Sequence, residues 1–527
     1  MSTQTLPARL GRRHRAAVLL VMCGLAFLLS FDTAIHAIAV PTLLQQLGDR
    51  PVLQTSQWIP KVFVVVAVAL LIVGGVLADR FGAKRVLIVG LLTYLAGALA
   101  NYPLAMTSVP LIGLRAVMGV GSALMVPAAM SIVGAVSDTD AGRVKAFTVW
   151  LGCFAAGVTI VQLVSGLVLD NLWWPRIVAV LGLIAVTSLF GVVTVVPAMP
   201  PDPPRPVDWS ATTVVVLGVG LVTFALIQGP EWGWANPSIA VPLAAGILPP
   251  AILAIVRRRG NEPLQDYLFR SDPRIRRAVI AMAAVFLAVF GIVFLVIQYL
   301  QAVRGYSPIV AGWLSFLPTV AAMVIGAKLG PMLRRQLGPA AALIVGLAVV
   351  LDGLAIGLTA DATGDLPPIV AMVTLASAGF AVVISVGMDT VIGAPPSSSR
   401  GISCAARMTF AQLSGLLGLA IVSSLVDSGY HEHLRVPAAV PIQQGGTVVS
   451  RDSLGKAVAV AASTVDQSAA PLAAAVQHAF LAGYRHGLLA IIGVIVATMV
   501  TIVVKSTASK RRRGQGPIAR VVNAENI

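Results

Sequence analysis

Charge is scarce in this 527-residue chain: Asp, Glu, Lys and Arg make up 11% of it, against about 25% in soluble domains. Hydrophobic residues reach 57%, with mean hydropathy +0.90, which excludes a water-soluble globular protein. Cysteine is scarce too. Cys23, Cys153 and Cys404 each lie in an apolar segment, far apart and without metal-ligand or disulfide spacing, and read as small buried hydrophobes. The six histidines are scattered, so no paired acid, His or Cys cluster supports an enzyme, and neither metal nor cofactor is expected. No pore-filter motif points to a channel, and no stretch reads as an appended soluble sensor domain.

What is present is a series of apolar runs of membrane-spanning length. Hydropathy places fourteen, near 16–40, 58–78, 86–106, 109–134, 146–168, 177–198, 211–228, 238–256, 278–301, 308–330, 340–359, 367–389, 402–426 and 485–504. The first follows basic residues as a signal peptide would, but it continues to about Val40 and is read as a retained span. The expected fold class is an all-α polytopic membrane protein. The net charge of +16 suggests nucleic acid at first sight. The basic residues, however, sit in short loops and tails, as in "KRRR" (Lys510 to Arg513) after an apolar run, which fits a cytoplasmic anchor in the lipid bilayer.

An even span number puts both termini on one side. With that side inside, 26 of the 37 Lys and Arg residues fall in inner segments and seven in outer ones, so both termini are expected in the cytoplasm. Trp173, Trp174, Trp232 and Trp234 fall at predicted outer boundaries, where indoles prefer to sit. A long outer segment, 427–484, is mixed in polarity, with a short amphipathic helix expected around Ser463–Val476.

The chain also repeats itself. "GAKRVLIVGL" (Gly82–Leu91) aligns without gaps to "GPAAALIVGL" (Gly338–Leu347), each after a charged loop at the end of a span. Two related halves would produce this. In the first loop, Gly75 and Gly82 permit packing and reversal, and Asp79, Arg80, Lys84 and Arg85 supply the charges. Asp79 can pair with arginines or a helix N-terminus and hold a gate shut. The second loop has Arg334 and Arg335 instead, so a charge-pair latch is expected only in the first half, with the repeated "LIVGL" as the second half's equivalent hinge.

Several stretches together carry a family resemblance. "GGVLADRFGAKR" is similar to the loop motif between spans 2 and 3 of the major facilitator superfamily. "FDTAIHAIAVP" (Phe31–Pro41) and "LRAVMGVGSALMVPA" (Leu114–Ala128) resemble the first- and fourth-span motifs of its 14-span drug:proton antiporter branch. "VDWSA" at 207, "NEPLQDYLFR" at 261, "QYLQAVRGYSPIVAGWLSFLP" at 298 and "RGISCAARMTFAQLSGLLGLA" at 400 follow in the same order. The resemblance covers essentially the whole chain. It implies an N-terminal six-helix bundle (1–200), two inserted spans with a cytoplasmic linker (201–276), a C-terminal six-helix bundle (277–505) and a basic tail (506–527). It also implies alternating access about a central cavity and proton-driven export of small organic molecules. The chain is read as a monomer in the cell (inner) membrane, with such a substrate and the proton as its partners and no role for nucleic acid.

The candidate site residues are the charges inside spans. A carboxylate at the bilayer centre costs about 2.5–3.5 kcal/mol on the insertion scale, so Asp32 is expected to face a cavity or partner and to load a proton. Arg115 is a fixed cation in span 4 that could bias the protonation of a nearby carboxylate, and the resemblance links this position to proton transfer; pairing with backbone carbonyls is the alternative. His36, four residues after Asp32 on the same helix face, is either a relay or a hydrogen-bonded filler. Asp389 is a cavity candidate, and Asp352 divides between a structural pair and a pathway. Met118 replaces the branch's fourth-span glutamine, and Val161 and Gln162 stand where span 5 normally has Gly-Pro. The straighter span that follows leaves symport or lipid and metabolite translocation as alternatives to antiport. Lys61, where relatives that export cationic drugs often have an acid, and Arg407 would favour anionic or zwitterionic substrates if they face the cavity; snorkelling to an interface is the alternative.

Overall fold

The computed structural model describes residues 11–46, 58–104, 108–136, 174–198, 209–256, 273–306, 308–361, 366–392, 400–434 and 469–514, with short stretches between 142 and 161. Among the described residues every regular element is helical, as lipid demands of a spanning chain that must satisfy its own backbone. The helices are α1 (Arg12–Gln46), α2 (Trp58–Phe81), α3 (Ala83–Leu104), α4 (Ser108–Ala135), α5 (within Lys145–Phe154), α6 (Trp174–Val195) and α7 (Trp209–Trp232). They continue with α8 (Pro237–Val256), α9 (Pro273–Gln298), α10 (Pro308–Leu337), α11 (Pro339–Gly357), α12 (Leu366–Ile392), α13 (Arg400–His433) and α14 (Ala469–Gly514). Eleven are long and apolar enough to cross a membrane, and three shorter apolar helices lie within α5, α6 and α8. Together they account for the fourteen predicted spans. This is a multi-pass membrane protein.

The packing order is written twice. In the first half α2 and α3 pack on α4, and α6 packs on α1 and α3; in the second, α10 and α11 pack on α12, and α14 packs on α9 and α11. Small residues let these backbones approach. At the α3–α4 crossing, a methyl group on Gly90 would lie 2.9 Å from the Gly121 carbonyl oxygen. At α11–α12, one on Gly346 would lie 3.2 Å from the Gly379 carbonyl oxygen. Gly90 and Gly346 are the glycines of the two "LIVGL" stretches. The repeat is therefore a packing signature, not the hinge expected of it. The reversal sits eight residues earlier, at Gly82 (φ 90°) and Gly338 (φ 81°), a left-handed conformation glycine adopts cheaply.

Each half has its own apolar core, and Met388 of α12 packs against both. The halves also meet where α13 packs on α2 and α4. The inserted pair α7–α8 lies beside this seam, with α7 against both α2 and α13. Trp58 stacks on Phe224 at 5.5 Å, and the Trp234 indole nitrogen donates to the Ser424 hydroxyl at 3.0 Å.

The long segment between the last two spans is shorter than hydropathy suggests. α13 continues to His433, α14 begins at Ala469, and the last span widens from 485–504 to Ala475–Val504. The described part of the expected 463–476 helix is thus the start of α14. Tertiary packing keeps these more polar turns helical: Tyr430 and Tyr484 are fully buried, and a methyl on Gly429 would lie 2.5 Å from the Gly483 Cα.

Candidate functional site

Asp32 and Arg115 are the only charged side chains that are buried among the described residues, and both are fully enclosed. α1 carries the acid and α4 the base. Arg115 Nη1 donates to Asp32 Oδ1 at 2.8 Å and to Oδ2 at 2.9 Å. Its Nε donates to the Ile59 carbonyl at 3.5 Å, and the guanidinium stands 4.5 Å from the Phe63 ring centroid, a cation–π contact strengthened by desolvation. Met118 contributes its sulfur 3.7 Å from Nη1. Nearby polar groups on α1 are satisfied within the helix: Ser30 bonds the Ala26 carbonyl and Thr33 the Leu29 carbonyl. Opposite charges buried together offset a desolvation cost neither could bear alone. Protonating the carboxyl, or removing either partner, upsets that balance, so the pair can couple a proton to a rearrangement.

The remaining candidates spread along the molecule. Lys61 lies near the start of α2 and donates to Gln228 Oε1 at 2.7 Å and Glu231 Oε1 at 2.6 Å, both on α7. Its charge is committed to the inserted helix. Asp389 pairs with Arg334 across α12 and α10, at the end of the molecule that carries Gly338. The second half therefore does hold a charge pair, which corrects the expectation that only the first half would. Asp352 is exposed on α11. At the Gly82 reversal, Lys84 Nζ donates to the Val193 carbonyl at 3.0 Å, Arg80 lies over the Phe81 ring and Arg85 is exposed. Asp79 is half-buried at the end of α2, and Gly75 is buried. The side chains of His36 and Arg407, and all of Gln162, lie outside the described residues.

The family model described as Major Facilitator Superfamily matches residues 22–419. The chain belongs to that superfamily. The multidrug efflux pump LfrA of Mycolicibacterium smegmatis is 27% identical over 475 residues, covering 89% of this chain and 92% of the relative. The tetracenomycin C resistance and export protein of Streptomyces glaucescens is 26% identical over 441 residues, covering 81% and 80%. The crystal structure of the human organic anion transporter MFSD10 has the same fold, with TM-score 0.57 at 14% identity over 93% of this chain and 97% of that one. As a superfamily member this protein is a secondary transporter and not an enzyme, consistent with the drug-efflux branch its motifs resemble.

Phe63, against the Arg115 guanidinium, and Glu231, the partner of Lys61, carry no sequence motif. Tyr94, fully buried and beside the pair, did leave a trace: Gly90, Tyr94 and Gly97 are spaced to share one face of α3. That face meets α4, since a methyl on Gly97 would lie 2.8 Å from Met118 Cγ. Cys23 and Cys153, distant in sequence, face each other across α1 and α5 as free thiols.

Proposed function

We propose that this protein is a proton-coupled exporter of small amphipathic organic molecules, working as a monomer by alternating access in the cell membrane with both termini in the cytoplasm. The observation that carries this reading is the buried Asp32–Arg115 pair. A carboxylate bonded to a fixed cation in an apolar interior has two stable arrangements: ionised and held, or protonated and released. Switching between them changes what holds α1 against α4, which is how a proton can bias one access state over the other.

The export direction and drug-like substrate class draw support from the relatives named for multidrug efflux and for tetracenomycin C export. Apolar surroundings with one neutralised ion pair suit amphipathic compounds. Lys61, bonded to Glu231, lends no support to an anion preference. The reading is tested in proteoliposomes, by following a fluorescent amphiphile such as ethidium together with internal pH. An imposed proton gradient should drive ethidium against its own gradient, with countermovement of protons. Transport in the same direction as the proton, or transport indifferent to the gradient, would replace antiport with symport or facilitated translocation.

A further inference from the structure

The ion pair leaves polar capacity around it unused. Arg115 makes both bonds to Asp32 through Nη1, while its Nη2 has no hydrogen-bond partner. Tyr94 of α3 is fully buried, and its hydroxyl faces Asp32 without completing a well-formed hydrogen bond. A buried hydroxyl short of a full hydrogen bond is costly and calls for an explanation. The backbone fixes it in place: a methyl on Gly121 would lie 2.7 Å from the Tyr94 nitrogen. The scaffold does not require a tyrosine there. At the matching crossing of the second half, a methyl on Gly379 would lie 2.9 Å from the nitrogen of Val350, and valine fills the space.

We propose that Tyr94 is the second partner of Asp32: its hydroxyl accepts a hydrogen bond from the neutral carboxyl after the carboxyl lets go of Arg115. Asp32 then alternates between a cation on α4 when ionised and a phenol on α3 when protonated. One proton is added to the carboxylate, Arg115 stays charged, and no other bond changes. Among the described residues, Arg115 and Tyr94 face Asp32. α2 turns Phe63 to the pair and commits Lys61 to α7. α6 places Ser188 near Gly24, and His36 stands one turn further along α1. Tyr94 is a positioning residue, and its role rests on the proton-coupling reading above.

The test is an infrared pH titration of the full-length protein in nanodiscs, with D32N identifying the buried carboxyl band. Tyr94→Phe should move the midpoint of that band to lower pH by about 0.5–1 unit, because the neutral form loses its hydrogen bond. In the wild type, the Tyr94 C–O stretch should change in step with the carboxyl band, a readout that needs no variant to fold beyond the one assigning it. An unchanged or upward midpoint, or a tyrosine band indifferent to pH, would overturn the proposal while leaving the coupling reading intact. A protein in which no Asp32 band titrates would overturn both.

Discussion

The two halves of this transporter share a frame and differ in what they bury. Both reverse direction at a left-handed glycine, Gly82 and Gly338, and both cross helices at a glycine pair, Gly90 with Gly121 and Gly346 with Gly379. Four residues past the first glycine of each pair stands Tyr94 in one half and Val350 in the other. Six residues before the second stands Arg115 in one and Val373 in the other, all four buried. The second half keeps its charge pair, Arg334–Asp389, at the membrane end and partly exposed. The two halves thus share a backbone geometry, which small residues dictate, while the side chains filling the crossings differ. The first half holds the ionisable pair; the second fills the same crossing with valines.

The largest effect should come from Asp32→Asn, which is expected to reduce proton-coupled exchange in proteoliposomes to background. The protein should still fold, because an amide oxygen can accept the Arg115 hydrogen bond. Equal loss on Asp389→Asn would break the asymmetry between the halves. Next is Arg115→Leu, which leaves a buried carboxylate and should cost about 3–5 kcal/mol in unfolding from detergent. Combining it with Asp32→Leu should restore most of that stability without restoring transport, because the first half would then resemble the second; a double variant no more stable than the single one would refute this. Gly121→Ala and Gly379→Ala should each destabilise by about 1–3 kcal/mol through forced separation of the helices. Their near-equality, read in the same unfolding assay, sharpens the claim that the frame is common to both halves. Smallest is Arg334→Ala, a partly exposed pair worth about 0.2–1 kcal/mol, which should leave the proton dependence of transport unchanged.

Much of the fold was legible because its determinants are local. A run such as Val62 to Leu77 declares a span whatever surrounds it, and a glycine after a basic or acidic loop declares a reversal. The site was legible only in pieces. Asp32 and Arg115 each stood out as charges inside apolar spans, but they are 83 residues apart, and nothing in the sequence says that they touch. Lys61 looked like a cavity cation until the fold set Glu231 against it. "LIVGL" looked like a hinge because it follows one, whereas its glycine serves a helix crossing.

By itself, then, the sequence determined the all-helical, multi-pass architecture, the duplication and the few residues able to carry charge inside the membrane. Each follows from a free energy that a single segment settles with lipid or with its own backbone. Only the tertiary structure decided which of those charges meet. It joined Asp32 to Arg115, diverted Lys61 to α7, gave Asp389 a partner at the membrane end, and set the hydroxyl of Tyr94 beside the central pair. Pairing depends on how close two helices come and how they are rotated. Those quantities are fixed by small residues at crossings far along the chain from the charges they bring together.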